Sequence, residues 1–548
     1  MPDILLIQPP IRDFYLTAKR TIPYGLACIA RTLMDEGFSV AVFDALATAK
    51  ARTIDRPPEM HHLDPYYGQA DRSPFGLFHR FKHFGYSFEH IGRIARKSNA
   101  FLIGISALFT PYIEEALETA RAVKSVRPDC RTVLGGHHPT MLPRQVMACP
   151  AVDYVLRGEG EVSLPALARA VKSGRPVSAV PGIGYRRPDG SIHISEPAIE
   201  HDPTRIPPPA DDVIDHRFYR RRGRASIVIS TSRGCPMRCS YCAVGASSYL
   251  TYRRRPVSAV LTEIDAAVAA REVGFIDFED ENLALDRSWF LQLLAGMIRR
   301  FNGKGPELRA MNGLFPPSLD EETIRSMGQA GFKTLNLALA TTAPEQLRRF
   351  RRPDVSRDFD LVLRLAEKSG LTAVGYVIAG APHQKALDSI RDLIFLARRR
   401  VMAAVSIFYP APGSLDYDLC RASHLLPVHP MLMRSSALPL HHTTSRREAA
   451  TLLRLGRILN FIKHVIDRGE SLPSPARSAL NWSPPADRKA LGRDLLAGFF
   501  YDGLIRGAAP DGEIYTHRIS RDLCRIFLTE LRAVPIRGWE GKTKIMPA

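Results

Sequence analysis

Apolar residues recur along this chain in two successive series of short strands and longer helices. From the N-terminus, apolar runs at residues 3–10, 38–45, 101–108, 132–136 and 153–161 read as buried strands, with helix-period stretches at 23–37, at 111–127 and from about 164. Strands alternating with helices predict an open, doubly wound parallel sheet whose binding loops lie at the strand C-terminal edge. The second series has strands at 225–230, 274–278, 307–313, 334–340, 372–380 and 405–410, separated by helices at 257–268, 287–301, 321–330, 359–369 and 386–400. Six such units predict a partial (β/α)6 barrel of the TIM type, with its site at the strand C-termini. Between the two series lie a hairpin at 185–195, turning on Asp189-Gly190, and a stiff stretch at 206–210 with three consecutive prolines. Past 425, Ala449, Leu452, Leu453, Leu455, Ile458, Leu459 and Ile462 repeat at helix spacing. The expected α/β architecture is a doubly wound domain at 1–180, a hairpin and linker at 181–221, a barrel at 222–420 and a helical domain at 421–548.

Composition fits several globular domains: 548 residues exceed what one core organises, and 45% apolar with 24% charged residues is average for folded chains. No apolar run approaches the roughly 18 residues of a membrane span. The opening MPDILLIQPP carries no basic n-region or cleavage site, so a cytoplasmic location is expected. Charge is the unusual quantity. Lys and Arg number 75 against 56 Asp and Glu, a net +19, which predicts attraction to something anionic. The arginines are scattered in short runs without RNP, helix-turn-helix or zinc-finger spacing, so nucleic acid is not the expected partner. Arg253, Arg254 and Arg255 are the best placed to meet an anionic cofactor or substrate.

Of eight cysteines, Cys28, Cys130, Cys149, Cys420 and Cys524 stand alone and read as small buried hydrophobes. The others, Cys235, Cys239 and Cys242, form CxxxCxxC within TSRGCPMRCSYCAVG, directly after the strand at 225–230. Gly234 and Pro236 break that strand into a loop. Three thiolates on one tight loop can ligate three irons of a cubane cluster and leave the fourth iron open for an exogenous ligand. A structural zinc would want a fourth Cys or His close by, and none lies between Arg224 and Tyr252. A disulfide with a spare thiol is disfavoured in a reducing compartment.

The triplet, with Tyr241 before its last cysteine, resembles the signature of the radical S-adenosylmethionine (SAM) superfamily, and the six βα units resemble its barrel. The resemblance implies a 4Fe-4S cluster on Cys235, Cys239 and Cys242, and SAM on its open iron, cleaved to a 5'-deoxyadenosyl radical. It places SAM near Tyr241, Asp280, Glu281 and Asn312, and implies an electron donor such as flavodoxin or ferredoxin. Two departures stand out. Relatives commonly end the fourth barrel strand with Glu, where this chain has Ala340-Thr341-Thr342. After the fifth strand their Gly-x-Pro-Gly-Glu becomes Gly380-Ala381-Pro382-His383-Gln384.

Upstream, the edge loops of the first sheet carry no GxGxxG or Walker lysine motif. GGHHPT (135–140) followed by RGEGE (157–161) resembles the cobalamin-binding domain that precedes the barrel in many radical SAM enzymes. The implied cobalamin contacts are Gln8, Ser106, Gly135, Gly136, His137, His138, Thr140, Gly158, Glu159, Gly160 and Glu161. Adjacent glycines let backbone approach a flat macrocycle. No Asp precedes any of the 17 histidines by two positions, so the DxHxxG cobalt-ligand motif is absent.

The combined resemblance implies a cobalamin-dependent radical SAM enzyme, methylating an unactivated carbon or phosphorus centre of a small, anionic or lipid-like molecule by way of methylcobalamin. A radical cyclase or rearrangement enzyme with the same cofactors is the alternative, and a cobalamin-binding regulator the non-enzymatic one. RNA methylthiolation, suggested by the charge and three N-terminal cysteines, is disfavoured because Cys28 lies in an apolar helical pattern, Cys130 before a strand and Cys149 before a proline, and because the helical tail does not resemble a small β-barrel RNA-binding domain.

Overall fold

Alternation of side chains along five short strands decides the first domain. β1 (Ile4–Gln8), β2 (Val40–Asp44), β3 (Leu102–Ser106), β4 (Arg131–Gly135) and β5 (Tyr154–Leu156) pair in parallel in the order β2-β1-β3-β4-β5. The computed structural model describes residues 1–14, 22–246, 251–477 and 487–536. This order switches direction between β1 and β3, where doubly wound sheets bind ligands. Helices α1 (Tyr24–Asp35), α2 (Phe88–Ser98), α3 (Ile113–Val126) and α4 (Gly160–Lys172) cover both faces. Leu5, Ile7, Ile103, Ile105 and Leu134 pack with α2 and α3. The alternate residues Ile4, Leu6, Leu102 and Val133 pack with α1 and α4.

The hairpin at 185–195 is no mere connector. Its strands β6 (Ile183–Arg186) and β7 (Ile192–Ile194) pair antiparallel with β5 and each other, completing a seven-stranded sheet. A short terminal strand leaves backbone groups unpaired, and the hairpin satisfies them. The insertion between β2 and α2 contributes Ala51–Thr53 and Lys82–Phe84 to a small antiparallel sheet with Ile11–Asp13.

In the second series β8 (Arg224–Ile229), β9 (Val273–Phe278) and β10 (Glu307–Ala310) form one parallel set, and β11 (Thr334–Ala340), β12 (Thr372–Ala379) and β13 (Met402–Ile407) another. Parallel bridges at Leu308–Phe332 and Leu314–Leu337 join the sets into an incomplete barrel. Helices α5 (Val257–Ala270), α6 (Arg287–Phe301), α7 (Glu321–Ala330), α8 (Ser356–Lys368) and α9 (Ala386–Ala397) pack outside. The last strand begins before the expected 405–410, because Asn460 brackets the backbone of Ala403 with two hydrogen bonds (2.8 and 2.7 Å). An unexpected short helix, Pro344–Phe350, precedes α8.

The tail holds α10 (Arg446–Asp467), α11 (Arg488–Asp502) and α12 (Arg521–Arg532), with an antiparallel ribbon of Arg506–Ala508 and Ile514–Thr516. Ser445 and Glu448 form a reciprocal capping box at the start of α10. The helical region expected at 421–548 packs onto the barrel. Leu452, Leu455, Ile458 and Ile462 share one core with Leu393, Leu396 and Val401 of the barrel, and with Met60, Leu63 and Phe75 of the insertion. α10 and α12 both cover the outer side of α9, and α10 also covers β13. Contact is so close that a Cβ at Gly456 would lie 2.9 Å from Val405. Among the described residues no helix is long and apolar enough to cross a membrane.

Candidate functional site: the cysteine loop and the facing sheet edge

β8 delivers the chain to the cysteine loop, which is pinched at its base where Ser232–Arg233 pairs antiparallel with Arg253–Arg254. Asp280, just past β9, is buried behind that pinch. It accepts hydrogen bonds from the Thr231 amide (3.2 Å), the Thr231 hydroxyl (2.6 Å) and the Ser232 hydroxyl. Both carboxylate oxygens of Asp280, expected to lie near SAM, are engaged by donors of the turn at the end of β8.

Cys239 is buried, and Cys235 and Cys242 are half-buried. Burial pushes the Cys235 thiol up to about 11 and raises that of Cys242, and the charge of neighbouring thiolates in the triplet adds to both. The three sulfurs thus sense one another. Backbone amides oppose the rise: Met237 N–H donates to Cys235, and the Val244 and Gly245 N–H groups to Cys242. A Cβ at Gly245 would lie 2.0 Å from the Met237 carbonyl oxygen, so glycine lets the loop close on itself. Arg352 donates to Cys239 Sγ at 3.6 Å and to the Tyr241 hydroxyl at 3.3 Å. Among the described residues no three His, Cys, Asp or Glu side chains converge on one metal ion. A cubane takes each thiolate on a different iron, and three thiols on one loop with amide and guanidinium donors around them fit that group.

Tyr241 packs edge-on against Phe350, ring centroids 4.9 Å apart. Glu281 is raised to about 7 by burial and the neighbouring Asp280 and Glu279, and its charge reaches Cys235 and Cys242. Asn312 is exposed on the rim and donates to the Glu279 carbonyl at 2.9 Å. At the end of β11, Ala340 adopts a left-handed φ of 66°. Thr341 and Thr342 there bind Asp392 of α9, at 2.8 Å from the Thr341 hydroxyl and 2.6 Å from the Thr342 amide. A carboxylate does stand at this strand end, but fully buried and turned inward. After β12, Gln384 folds back onto Ala381 N (3.1 Å) and Ile378 O (2.8 Å), while exposed His383 meets the His442 ring edge-on.

At the first sheet's edge, Gln8 donates to Asp44 at 3.1 Å, and Ser106 ends β3 beside Gly135. A Cβ at Gly135 has only the Leu156 carbonyl oxygen near it, at 4.0 Å, whereas one at Gly136 (φ 122°) would strike the Ala107 backbone at 2.8 Å. The expected loop at 137–140 forms one short helix, His137–Met141. His137 shares a hydrogen bond with the Pro412 carbonyl beyond β13 (3.2 Å), so this loop touches the barrel mouth. His138 is fully buried, bonded to Thr110 Oγ1 at 3.1 Å, and burial holds it down at about 4. Thr140 Oγ1 donates to the Gly136 carbonyl (2.8 Å) and accepts from the Gly158 amide (3.0 Å), tying GGHHPT to RGEGE.

RGEGE, expected among the cobalamin contacts, is packed and paired within the protein. A Cβ at Gly158 would lie 2.1 Å from the Ala198 oxygen and one at Gly160 2.5 Å from Ile29, so close protein packing accounts for both glycines. Glu159 binds Arg253 and Arg233, each at 3.0 Å, and Glu161 binds Arg233 at 2.5 Å. The expected anion attraction of Arg253 to Arg255 is corrected by the same geometry. Arg253 holds Glu159, Arg254 stacks over Trp289 at 4.4 Å, and Arg255 pairs with Glu263 at 2.6 Å.

Residues 78–168 match the B12 binding domain family, and residues 229–396 match the Radical SAM superfamily. The chain thus carries a B12-binding domain followed by a radical SAM domain. Among its curated relatives is an uncharacterized methyltransferase of Pyrococcus horikoshii, 24% identical over 62% of this chain and 73% of that protein. An anaerobic magnesium-protoporphyrin IX monomethyl ester cyclase of Rubrivivax gelatinosus is 29% identical over 57% of each chain, so just over half of that relative's length is matched. The radical SAM methyltransferase TsrM of Kitasatospora setae, solved with cobalamin and a 4Fe-4S cluster, shares the fold at a TM-score of 0.56 and 18% identity, over 77% of this chain and 75% of that one.

Proposed function

We propose that this protein is a cobalamin-dependent radical SAM enzyme that methylates a small molecule at an unactivated carbon or phosphorus centre. The observation that carries this reading is the meeting of two strand-end edges. The loop after β4 touches the loop after β13 through His137 and Pro412, and RGEGE grips the base of the cysteine loop through Arg233 and Arg253. When bound, the cluster with SAM supplies a radical able to activate a C–H or P–H bond, and cobalamin supplies a methyl carrier. Cys235, Cys239 and Cys242 would hold the cluster; Tyr241, Glu281 and Asn312 form the rim beside it; Gln8, Ser106, Gly135 and Gly136 form the open sheet edge. Leu108 and Phe109 beyond β3, Met311 beyond β10 and Tyr409 beyond β13 remain 42–49% exposed. Apolar side chains exposed at strand ends favour a ligand with an apolar body, such as a corrin face or a hydrophobic substrate. A small electron-transfer protein such as flavodoxin or ferredoxin would reduce the cluster.

The test uses SAM labelled in its methyl group, fed to cells with and without the protein. Methyl transfer predicts a metabolite heavier by one labelled methyl, and S-adenosylhomocysteine beside 5'-deoxyadenosine from the purified enzyme. The similarity to a cyclase favours ring closure as the second reading, for which 5'-deoxyadenosine forms without S-adenosylhomocysteine.

A further inference from the structure

Glu159 and Glu161 face Arg233 and Arg253 across the boundary between the two domains. Glu159 receives both Nη atoms of Arg253 (3.1 and 3.0 Å) and Nη1 of Arg233 (3.0 Å), while Glu161 receives Nη2 of Arg233 (2.5 Å). The side chains of Glu159, Glu161 and Arg253 are each less than a tenth exposed. Arg253 also donates to the Glu200 carbonyl, and the Glu200 amide to Glu159 at 2.7 Å. Burial would push Glu159 up, but bonds from Arg253 and the charge of Arg233 outweigh it and keep the carboxyl below its ordinary range. Charges this enclosed hold together only while each has its partner.

The two arginines occupy the paired segments Ser232–Arg233 and Arg253–Arg254 that form the base of the cysteine loop. Cys235 lies two residues beyond Arg233. On the other side Gly158, next to Glu159, donates to Thr140 Oγ1, which itself donates to the carbonyl of Gly136 on the open edge of the first sheet. A path of hydrogen bonds and an ion pair, continued along the backbone at Gly158–Glu159 and from Arg233 to Cys235, therefore runs from Gly136 through Thr140, Gly158, Glu159 and Arg233 to the cysteine loop. We propose that Glu159 and Glu161, acting through Arg233 and Arg253, couple the two cofactor sites, so that cobalamin binds more tightly when the cysteine loop holds its cluster. The inference rests on the cobalamin and cluster reading above and adds a thermodynamic link to it. The four residues are positioning residues: they order the loops without touching either cofactor. An ordered cysteine loop fixes both arginines, which fix RGEGE and with it the glycine edge, and linkage makes the effect mutual.

The experiment titrates hydroxocobalamin by absorbance into the full-length protein under anaerobic conditions, before and after reconstitution with iron and sulfide. Cobalamin should bind at least fivefold more tightly to the cluster-loaded form, at the low end of typical coupling between sites. Glu161→Gln and Glu159→Gln should each bring that ratio close to one while iron content and hydroxocobalamin binding persist. If Glu159→Gln does not fold, Glu161→Gln, which loses only the contact to Arg233, and the wild-type ratio decide the matter. A wild-type ratio of one, or a fivefold ratio surviving both substitutions, overturns the coupling. A merely structural role would lower melting temperature and leave the ratio alone. Absence of hydroxocobalamin binding in either form would defeat the functional reading as well, whereas binding at equal affinity defeats only the coupling.

Discussion

Arg352 shows what a single side chain adds that sequence spacing does not reveal. The cysteine triplet is legible because its ligands are local, but Arg352 reaches Cys239 from 113 residues away, and only the fold brings them together. A guanidinium beside a ligand sulfur stabilises the more negative, reduced cluster. Arg352→Gln should therefore move the reduction potential to more negative values, about 59 mV for a tenfold loss of reduced cluster at fixed potential. A potential unchanged or more positive in an EPR-monitored redox titration would refute that role. Glu115 makes a separate residue-scale prediction. Burial, only partly offset by Arg434 and Arg12, raises its carboxyl from 4.5 to about 7, and one oxygen has no hydrogen-bond partner. The folded protein thus holds a proton that the unfolded chain releases near 4.5. The stabilisation is complete below that pH and disappears as pH rises through about 7. Glu115→Gln should raise stability by about 1–3 kcal/mol at pH 8 and hardly at all at pH 4. Thermal melts showing equal gains at both values would contradict the assignment.

At the scale of elements, periodicity found the six barrel strands because each is an apolar run bounded by turn residues. It misplaced the last one, since the start of β13 is set by Asn460 of a distant helix. Edge pairing was hidden for the same reason: nothing local in residues 183–194 says that the hairpin joins β5. The acidic residues after β9 show where pattern and structure part. Both Asp280 and Glu281 read as cofactor contacts, yet Asp280 closes the turn after β8, and Glu281 lies beside the cysteines. Asp280→Ala leaves the donors of Thr231 and Ser232 unmatched, a loss of about 2–4 kcal/mol for a buried charged group with several bonds. Reconstituted Asp280→Ala protein should hold clearly less iron per chain than wild type; full iron occupancy would show that the loop base stands without it.

For the whole molecule, length suggested several domains, and the two α/β units are present, but the boundary at 420 does not separate cores. The tail, the barrel and the insertion after β2 share one apolar cluster, and buried Arg454 of α10 donates to the backbone of Tyr66 and Phe75. A chain ending at residue 420 should thus lose the barrel's share of the cooperative transition and melt clearly below the full chain by circular dichroism; a single transition near that of the full chain would restore an independent barrel. The net charge of +19 also looks different in the folded chain, where Arg233, Arg253 and Arg255 at the base of the cysteine loop are engaged by Glu159, Glu161 and Glu263. They serve to join domains and brace the barrel. In the proposed function the cysteine loop carries a cluster that cleaves SAM beside a cobalamin edge. The most direct measurement is 5'-deoxyadenosine formed from SAM by dithionite-reduced protein, reconstituted anaerobically with iron, sulfide and hydroxocobalamin. Wild type should form it and Cys239→Ala should not; equal formation by both would show that the cysteine loop does not hold the cluster.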